Sequence, residues 1–230
     1  MLKNNPNSLN ELVEKSKKAF LASPGVTKVN MYGSIESHKA DNYSDLDLEV
    51  TSNRPEATVN GLISTLEKIG QPYVIMPISI TKTERVFTIV WKKHSFYKKM
   101  DLRLLFSSPF PLTRGLTSYD ESLRKFHSFF VGAIRYTKYR KRKMHWSAYK
   151  FYKASIEMWV ELQTRELNLN SFIKLDESNL SRFTKWLYPK GYNDMDKYMI
   201  DIAKFFLKSI TSDIEFGQSV IKFMRVELRV

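Results

Sequence analysis

Apolar positions follow different periods in the two halves of the chain. Through residue 106, stretches with helical spacing are interspersed with short runs in which apolar and polar residues alternate. From about residue 119 onward, helical spacing alone continues. Between the two halves lies Ser107–Pro111, a serine- and proline-rich cluster that breaks regular structure. We therefore predict an α+β domain over residues 1–108 and an all-α helical bundle over residues 109–230.

The first half is predicted to contain two helices and five strands. One helix covers Ser8–Ala22, where Ser8 and Glu11 form a capping box, and the other runs from Pro55 to a stop at Gly70. The last three strands follow one another through short turns, as in an antiparallel meander. The predicted strands are Val26–Tyr32, Asp45–Val50, Tyr73–Ile80, Val86–Trp91 and Lys98–Phe106.

The second half is predicted to be a bundle of helices. Its aromatic and apolar residues keep helical spacing, as in the series Phe126, Phe130 and Ala133, and this pattern is typical of a bundle core. Ser118 and Glu121 form a second capping box. The helices are expected at about residues 119–139, 146–167, 178–187, 194–210 and 213–226.

The strand predicted at Asp45–Val50 carries its carboxylates on one face only. Because side chains of a strand alternate, Asp45, Asp47 and Glu49 share a face, and the apolar residues between them occupy the other. Like charges two residues apart on one face repel each other unless a cation lies between them. The pattern therefore predicts a divalent metal site at the end of a sheet.

Three further features strengthen this prediction. Gly33-Ser34 ends the preceding strand, where the glycine lets a phosphate approach the backbone and the serine hydroxyl and amides can donate to it. Ten residues separate Ser34 from Asp45, which is enough for a short helix or loop that returns to the next strand. Asp101 stands in a later strand; placed beside Asp45 and Asp47, it would complete a three-carboxylate cradle for two divalent ions.

This combination resembles the DNA polymerase beta-like nucleotidyltransferase superfamily, whose core pattern is a glycine-serine followed by Asp-hydrophobic-Asp/Glu. The match covers about residues 26–106. Val86–Phe106 resembles the palm of family X DNA polymerases, whereas Phe126–Leu162 is similar to the helical bundle of aminoglycoside and lincosamide nucleotidyltransferases. The resemblance implies a nucleotidyltransferase-type mixed sheet with flanking helices, followed by the helical bundle.

The resemblance also implies roles for individual residues. Asp45, Asp47 and Asp101 would be catalytic and would hold two magnesium ions, with manganese as the other metal to consider. Asp101 would in addition help to deprotonate the acceptor hydroxyl. Gly33 and Ser34 would bind the outer phosphates of a nucleoside triphosphate such as ATP. The acceptor hydroxyl would then displace pyrophosphate in line.

Basic residues supply two more candidate contacts. Arg103 shares a face with Asp101 and would either contact a substrate phosphate or pair with a carboxylate. A dense basic segment, interleaved with tyrosines, lies at the junction of two predicted helices, where a solvated loop is also expected. We predict that it contacts nucleic acid, since cations neutralise phosphates and tyrosines stack on bases. Its candidate residues are Lys138, Arg140, Lys141, Arg142 and Lys143.

Charge and composition narrow the class of partner. The formal net charge is +13, of which residues 107–230 contribute +9 and residues 1–106 contribute +4. This balance favours a polyanion, usually nucleic acid. No apolar run approaches the roughly 20 residues that cross a bilayer, so no membrane partner is expected. The N-terminal residues lack the apolar segment of a signal peptide, the chain has no cysteine, and cytoplasmic location is the default.

The predicted function is therefore magnesium-dependent transfer of a nucleoside monophosphate from a triphosphate to a hydroxyl. The charge favours a nucleic-acid acceptor, either RNA (including tRNA) or a DNA end. An antibiotic acceptor of the aminoglycoside or lincosamide type fits the chain length and the two-part layout. A toxin–antitoxin component, or a non-catalytic nucleotide- or RNA-binding module on the same fold, is the alternative of another class. No pattern in the sequence bears on base choice, template use or oligomeric state.

Overall fold

The computed structural model describes residues 7–92, 94–111, 121–166, 181, 184–209 and 213–230. The chain divides into two compact units, residues 1–119 and residues 120–230. The first unit holds a five-stranded mixed sheet with flanking helices, and the described part of the second is helical. The predicted fold class is confirmed. The units divide later than the predicted boundary at residue 108, and the functions expected of the two domains stay predictions.

The first unit follows the predicted order of helices and strands. A single helical turn, α2, comes directly after the first strand. The elements are α1 (Asn7–Leu21), β1 (Val26–Tyr32), α2 (Gly33–Glu36), β2 (Leu46–Ser52), α3 (Pro55–Asn60), α4 (Leu62–Ile69), β3 (Pro72–Ile80), β4 (Glu84–Trp91) and β5 (Met100–Phe106).

Several boundaries differ from the sequence prediction. The helix expected from Pro55 to Gly70 is two helices, α3 and α4, which meet at Gly61, a residue type that favours helix ends. The last strand starts at Met100 because Phe96–Lys98 form a short 3-10 turn. Asp45 comes immediately before β2 rather than within it.

The sheet has the strand order β1-β2-β5-β4-β3. The expected meander is confirmed, since β3 pairs with β4 and β4 with β5 in antiparallel fashion. β2 also pairs antiparallel with β1, but it is parallel to β5. The chain from β2 to β5 passes through β3 and β4, so the parallel pair joins segments that are distant in sequence.

One face of the sheet forms the core of the first unit. Leu48 and Leu102, neighbours on β2 and β5, are fully buried on this face, and helices α1 and α4 contribute Phe20 and Leu66 to the same core. Truncating such a leucine to alanine typically costs about 2–5 kcal/mol. Because alternate residues point the other way, the charged side chains of β2 and β5, Asp47, Glu49, Asp101 and Arg103, lie on the opposite face.

The second unit is built from helices with an aromatic core. Phe129 stacks on Phe206 with ring centroids 3.9 Å apart, and the predicted core residues Phe126, Phe130 and Ala133 are fully buried. Residues 181 and 184–187 are helical, whereas Ser118 and half of the helix predicted at 178–187 (residues 178–180, 182 and 183) lie outside the described residues. The longer helices are α5 (Glu121–Lys141), α6 (His145–Glu166), α7 (Tyr192–Ser209) and α8 (Ile214–Leu228). None of the helices in the described ranges is long and apolar enough to cross a bilayer.

Candidate metal and nucleotide site

Four side chains form a row across the polar face of the sheet. Tyr32 of β1 lies opposite Asp47 of β2, Asp47 lies beside Asp101 of β5, and Asp101 lies opposite Thr88 of β4. Residues paired across adjacent strands point to the same side of a sheet. The strand register therefore gathers these four polar groups at one place.

The three predicted carboxylates meet at this row. Asp45 comes two residues before Asp47 and joins it from the residue just ahead of β2. One carboxylate oxygen from each of Asp45, Asp47 and Asp101 lies within 4.8 Å of the other two, and all three residues are partly buried. An acidic triad is thus present, as the sequence indicated, and the parallel pairing of β2 with β5 is what assembles it.

A buried lysine joins the triad. Lys99 is only 2% exposed, and its Nζ lies 2.7 Å from Oδ2 of Asp45 and also pairs with Oδ2 of Asp101. A buried ammonium needs such partners, because desolvation is not otherwise offset. Three carboxylates and one ammonium leave a formal charge of −2 on this cluster.

Two neutral side chains hold or border the carboxylates. The Thr88 hydroxyl donates to Oδ1 of Asp101 at 2.6 Å. Burial raises the pKa of Tyr32 to about 12, and the charges of Asp47 and Asp101 add to this effect, so the phenol keeps its proton at neutral pH. Sequence reasoning missed both residues. The available signals were a lone polar residue in the apolar β4 run for Thr88 and the place of Tyr32 directly before Gly33.

The Gly33 backbone lies directly against the triad. Gly33 has a φ of +74°, and a Cβ added there would lie 2.3 Å from Oδ2 of Asp47. Only glycine tolerates both conditions. Gly33 and Ser34 begin the α2 turn, where the first backbone amides of a helix have no intrahelical partners. The carbonyls of this turn are occupied, since the Ser37 hydroxyl donates to Gly33 and the Lys39 amide donates to Ser34, both at 2.9 Å.

The donor set of the triad fits a magnesium or manganese ion. Carboxylate oxygens are hard ligands of the kind these ions prefer. The formal charge of −2 that remains after pairing with Lys99 equals the charge that one divalent ion would neutralise. Asp45, Asp47 and Asp101 are therefore the residues suited to hold the metal.

Arg103 lies one residue pair further along the same face, beside Glu49. Its Nη1 is 3.3 Å from Oε2 of Glu49, and its Nε pairs with Glu84. Of the two alternatives for Arg103, pairing with carboxylates is present in the structure. Its contact with a substrate phosphate stays a prediction.

The predicted basic segment is mostly helical rather than a solvated loop. α5 continues to Lys141, so only residues 142–144 link it to α6. Lys138 is buried, Arg140 makes two contacts of 2.8 Å with the buried carboxylate of Asp196, and Lys141 lies 3.3 Å from Glu227. Lys138 is thus part of the interior of the second unit, and Arg140 and Lys141 pair with carboxylates of the same unit. Arg142 is half-buried and Lys143 is exposed, and nucleic-acid contact by the segment stays a prediction.

No protein family and no curated protein matches the sequence. Among solved structures, a chain of the GLD-2/RNP-8 complex aligns over 97% of this chain and 91% of its own, with 13% identity and a TM-score of 0.31. A STING-associated CdnE c-di-GMP synthase from Capnocytophaga granulosa aligns over 98% of this chain and 82% of its own, with 12% identity and a TM-score of 0.26. Similarity at these scores carries no functional inference, so the geometry of the site has to supply it.

Proposed function

We propose that the protein is a nucleotidyltransferase that moves a nucleoside monophosphate from a nucleoside triphosphate to an acceptor hydroxyl and releases pyrophosphate. The acceptor in this proposal is a nucleic acid. The observation that supports it most directly is the convergence of Asp45, Asp47 and Asp101 against the Gly33-Ser34 turn. Phosphoryl-type transfer depends mainly on positioning and on neutralising negative charge, and this site offers groups for both.

Asp45, Asp47 and Asp101 would hold magnesium, which when bound supplies positive charge for the reacting phosphate and the leaving pyrophosphate. The formal charge of −2 on the three carboxylates and Lys99 balances the charge of one divalent ion. The phosphates of the substrate would carry the negative charge that balances a second ion, which is consistent with the two-ion arrangement implied by the sequence resemblance.

The remaining residues orient the carboxylate that acts on the acceptor. Thr88 and Lys99 contact the two different oxygens of Asp101, so the plane of this carboxylate is fixed from both sides. In the proposed reaction Asp101 accepts the proton of the acceptor hydroxyl, and the resulting oxygen attacks the α-phosphorus in line. The bond from this phosphorus to the bridging oxygen of pyrophosphate breaks as the new ester bond forms.

The Gly33-Ser34 turn would bind the outer phosphates of the triphosphate. Gly33 is exposed and has no side chain, so a phosphate can approach the amides of the turn without a steric barrier. Arg103 would reach the same phosphates only by leaving Glu49 and Glu84, its partners in the structure. We therefore give the turn the main role in phosphate binding and Arg103 a secondary one.

A nucleic-acid acceptor agrees with the net charge of +13, which would attract a polyanion and repel a polycationic aminoglycoside. The test is a screen of each nucleoside triphosphate against RNA, tRNA and DNA ends, an aminoglycoside and a lincosamide, with magnesium present. We expect label on a polynucleotide. Asp47→Asn should lower the rate by about a thousandfold, because several kcal/mol of transition-state stabilisation depend on the metal.

Glu49→Gln is the matched control, since Glu49 is the next carboxylate on the same face of β2 but lies outside the triad. This variant should keep the activity. If only an antibiotic becomes labelled, the acceptor is an antibiotic and not the proposed nucleic acid. Binding of triphosphate without transfer to any acceptor would instead assign a non-catalytic nucleotide-binding module, and the enzyme proposal would be abandoned.

A further inference from the structure

We propose that an aromatic pocket of the second unit binds the bases of a single-stranded polynucleotide; this rests on the proposed function, whose acceptor it would hold. The pocket has a volume of about 720 Å³ and lies between the first turns of α6 and the segment that leads into α7. Its principal side chains are His145, Trp146, Tyr149, Tyr188, Lys190 and Tyr192.

The exposure of these aromatic rings sets the pocket apart. Trp146 is 67% exposed and Tyr188 is 75% exposed, and Tyr149 and Tyr192 are each 40% exposed. Within the described ranges, every Phe, Tyr or Trp side chain with this much exposure lines the pocket. The other described Phe, Tyr and Trp rings of the unit are buried or half-buried, so four solvated rings in one place indicate a surface for a ligand.

The rings are arranged as flat platforms. Trp146 stacks on Tyr149 with centroids 5.8 Å apart and an angle of 24° between their planes, and Tyr192 stacks on His145 at 4.3 Å and 24°. Buried Met195 also lines the cavity. Such platforms suit nucleobases, because every base offers a π-face that stacks on an aromatic ring whatever its sequence.

Cations surround the platforms. Nζ of Lys150 lies 5.5 Å from the ring centre of Trp146, and the guanidinium of Arg140 lies 4.7 Å from that of Tyr192. Lys190 lines the pocket itself. The pocket therefore combines stacking surfaces with positive charge, as proteins that bind single strands do.

Acidic side chains lie nearby and offset part of this charge. Oδ2 of Asp194 accepts the Lys190 amide at 3.1 Å, and Asp196 is held by Arg140. A second cavity of about 370 Å³ shares Tyr149 and Leu187 with the pocket. Glu157 and Glu161 also line this second cavity, and each is paired with a lysine, Glu157 with Lys153 at 3.7 Å and Glu161 with Lys125 at 2.7 Å. The surface is thus longer than one base, and it favours a chain of nucleotides over a single one.

Single strands fit this surface better than duplexes. In a duplex the base faces are covered by their neighbours, so the rings would have nothing to stack on. A polycationic antibiotic would meet like charge at Lys150 and Lys190.

The test measures binding apart from catalysis. Fluorescently labelled single-stranded RNA and DNA oligonucleotides are titrated with the Asp47→Asn variant without nucleoside triphosphate, and anisotropy reports the dissociation constant. Trp146→Ala and Tyr188→Ala should each weaken binding about tenfold. Ile63→Ala, which truncates a 61% exposed side chain of the first unit, should leave the dissociation constant unchanged. Both aromatic positions are solvated, so thermal melting should be unaffected by their truncation.

Salt dependence gives an independent readout of the cations. Lys150→Gln and Lys190→Gln should each reduce the slope of log affinity against log salt by about 0.7, the value for one phosphate contact on a single strand, whereas the aromatic variants should leave the slope unchanged. A stronger effect with RNA than with DNA, or the reverse, would identify the sugar that the pocket prefers.

Three results would overturn the proposal: single strands that bind equally well to the wild-type pocket and to both aromatic variants, duplexes that bind as tightly as single strands, and no polynucleotide binding at all. Failure of the proposed enzyme is distinguishable from these. Pocket-dependent binding of single strands without any nucleotide transfer would support the proposed pocket and contradict the proposed transferase. Transfer to an antibiotic without strand binding would contradict the proposed pocket.

Discussion

Nζ of Lys99 lies 2.7 Å from Oδ2 of Asp45, and the same ammonium pairs with Asp101, so one buried cation joins two members of the carboxylate triad. Lys99 and Asp45 each precede a strand of the parallel β2–β5 pair, whose register begins with Leu46 beside Met100. The contact is therefore a consequence of the sheet topology. It offsets part of the repulsion among three carboxylates held close together.

The Lys99→Met variant should be less stable than the wild type, and magnesium should stabilise it more strongly. Breaking a buried ion pair costs about 3–5 kcal/mol, and because the Asp45 and Asp101 side chains keep 16% and 22% exposure, we expect the low end of that range or less. Magnesium should then raise the melting temperature more in the variant than in the wild type, since more negative charge is left to neutralise. The control is Lys68→Met on the exposed face of α4. Equal metal-induced shifts in wild type and Lys99→Met would refute this role for Lys99.

Gly33→Ala should impair metal binding beyond its effect on stability. The positive φ of Gly33 makes alanine cost about 1–2 kcal/mol, and the new methyl group would collide with Oδ2 of Asp47. Gly25→Ala is closely matched, because Gly25 has a φ of +84° and its added Cβ would lie 2.4 Å from the Arg54 Cβ, away from the triad. Calorimetric titration with manganese should show weaker binding in Gly33→Ala alone. Similar affinity in both variants would mean that the Gly33 contact does not position Asp47.

Arg140→Met should destabilise the second unit. Asp196 is buried, and its carboxylate accepts two hydrogen bonds from the Arg140 guanidinium and one from the Tyr136 hydroxyl. The variant would leave this buried negative charge without its cationic partner. The expected loss in the free energy of unfolding is about 3–5 kcal/mol. Urea denaturation measures it, with Arg225→Met on the exposed face of α8 as the control. A stable Arg140→Met variant with weakened oligonucleotide binding would instead return Arg140 to the predicted nucleic-acid contacts.

His127 should make the second unit less stable in mild acid. Burial lowers the pKa of His127 below its ordinary value of 6.5, although the contact of 2.6 Å with Asp213 opposes this shift. As pH falls below the unfolded-state pKa, the unfolded chain takes up a proton before the folded one, so stability is full above that pH and declines below it.

The measurement is urea denaturation between about pH 7.5 and pH 5, followed by tryptophan fluorescence. His127→Gln should flatten the decline, whereas His38→Gln, which alters an exposed residue, should keep it. Burial also lowers the pKa of His94 in the first unit, so the difference between variant and wild type is the quantity that isolates His127. An unchanged slope in His127→Gln would contradict the prediction.

Much of the first unit could be predicted because its local signals are strong. β1 has the predicted bounds of Val26–Tyr32, and the alternation of carboxylates with leucines in β2 set one polar and one buried face before any fold was known. The combined spacing of Gly33, Asp45 and Asp101 was enough to predict a triad, because each residue lies at or beside the end of a strand.

The sequence by itself determined which residue types the site contains and that they lie at strand ends. Only the tertiary structure decided that β2 and β5 are parallel neighbours, and this pairing places Asp47 beside Asp101 and Lys99 beside Asp45. In the second unit, the tertiary structure also decided that Lys138 is buried, that Arg140 pairs with Asp196, and that Trp146 and Tyr188 are exposed to solvent. Local patterns fix the face on which a side chain lies, but its neighbours across the sheet and bundle depend on contacts between residues distant in sequence.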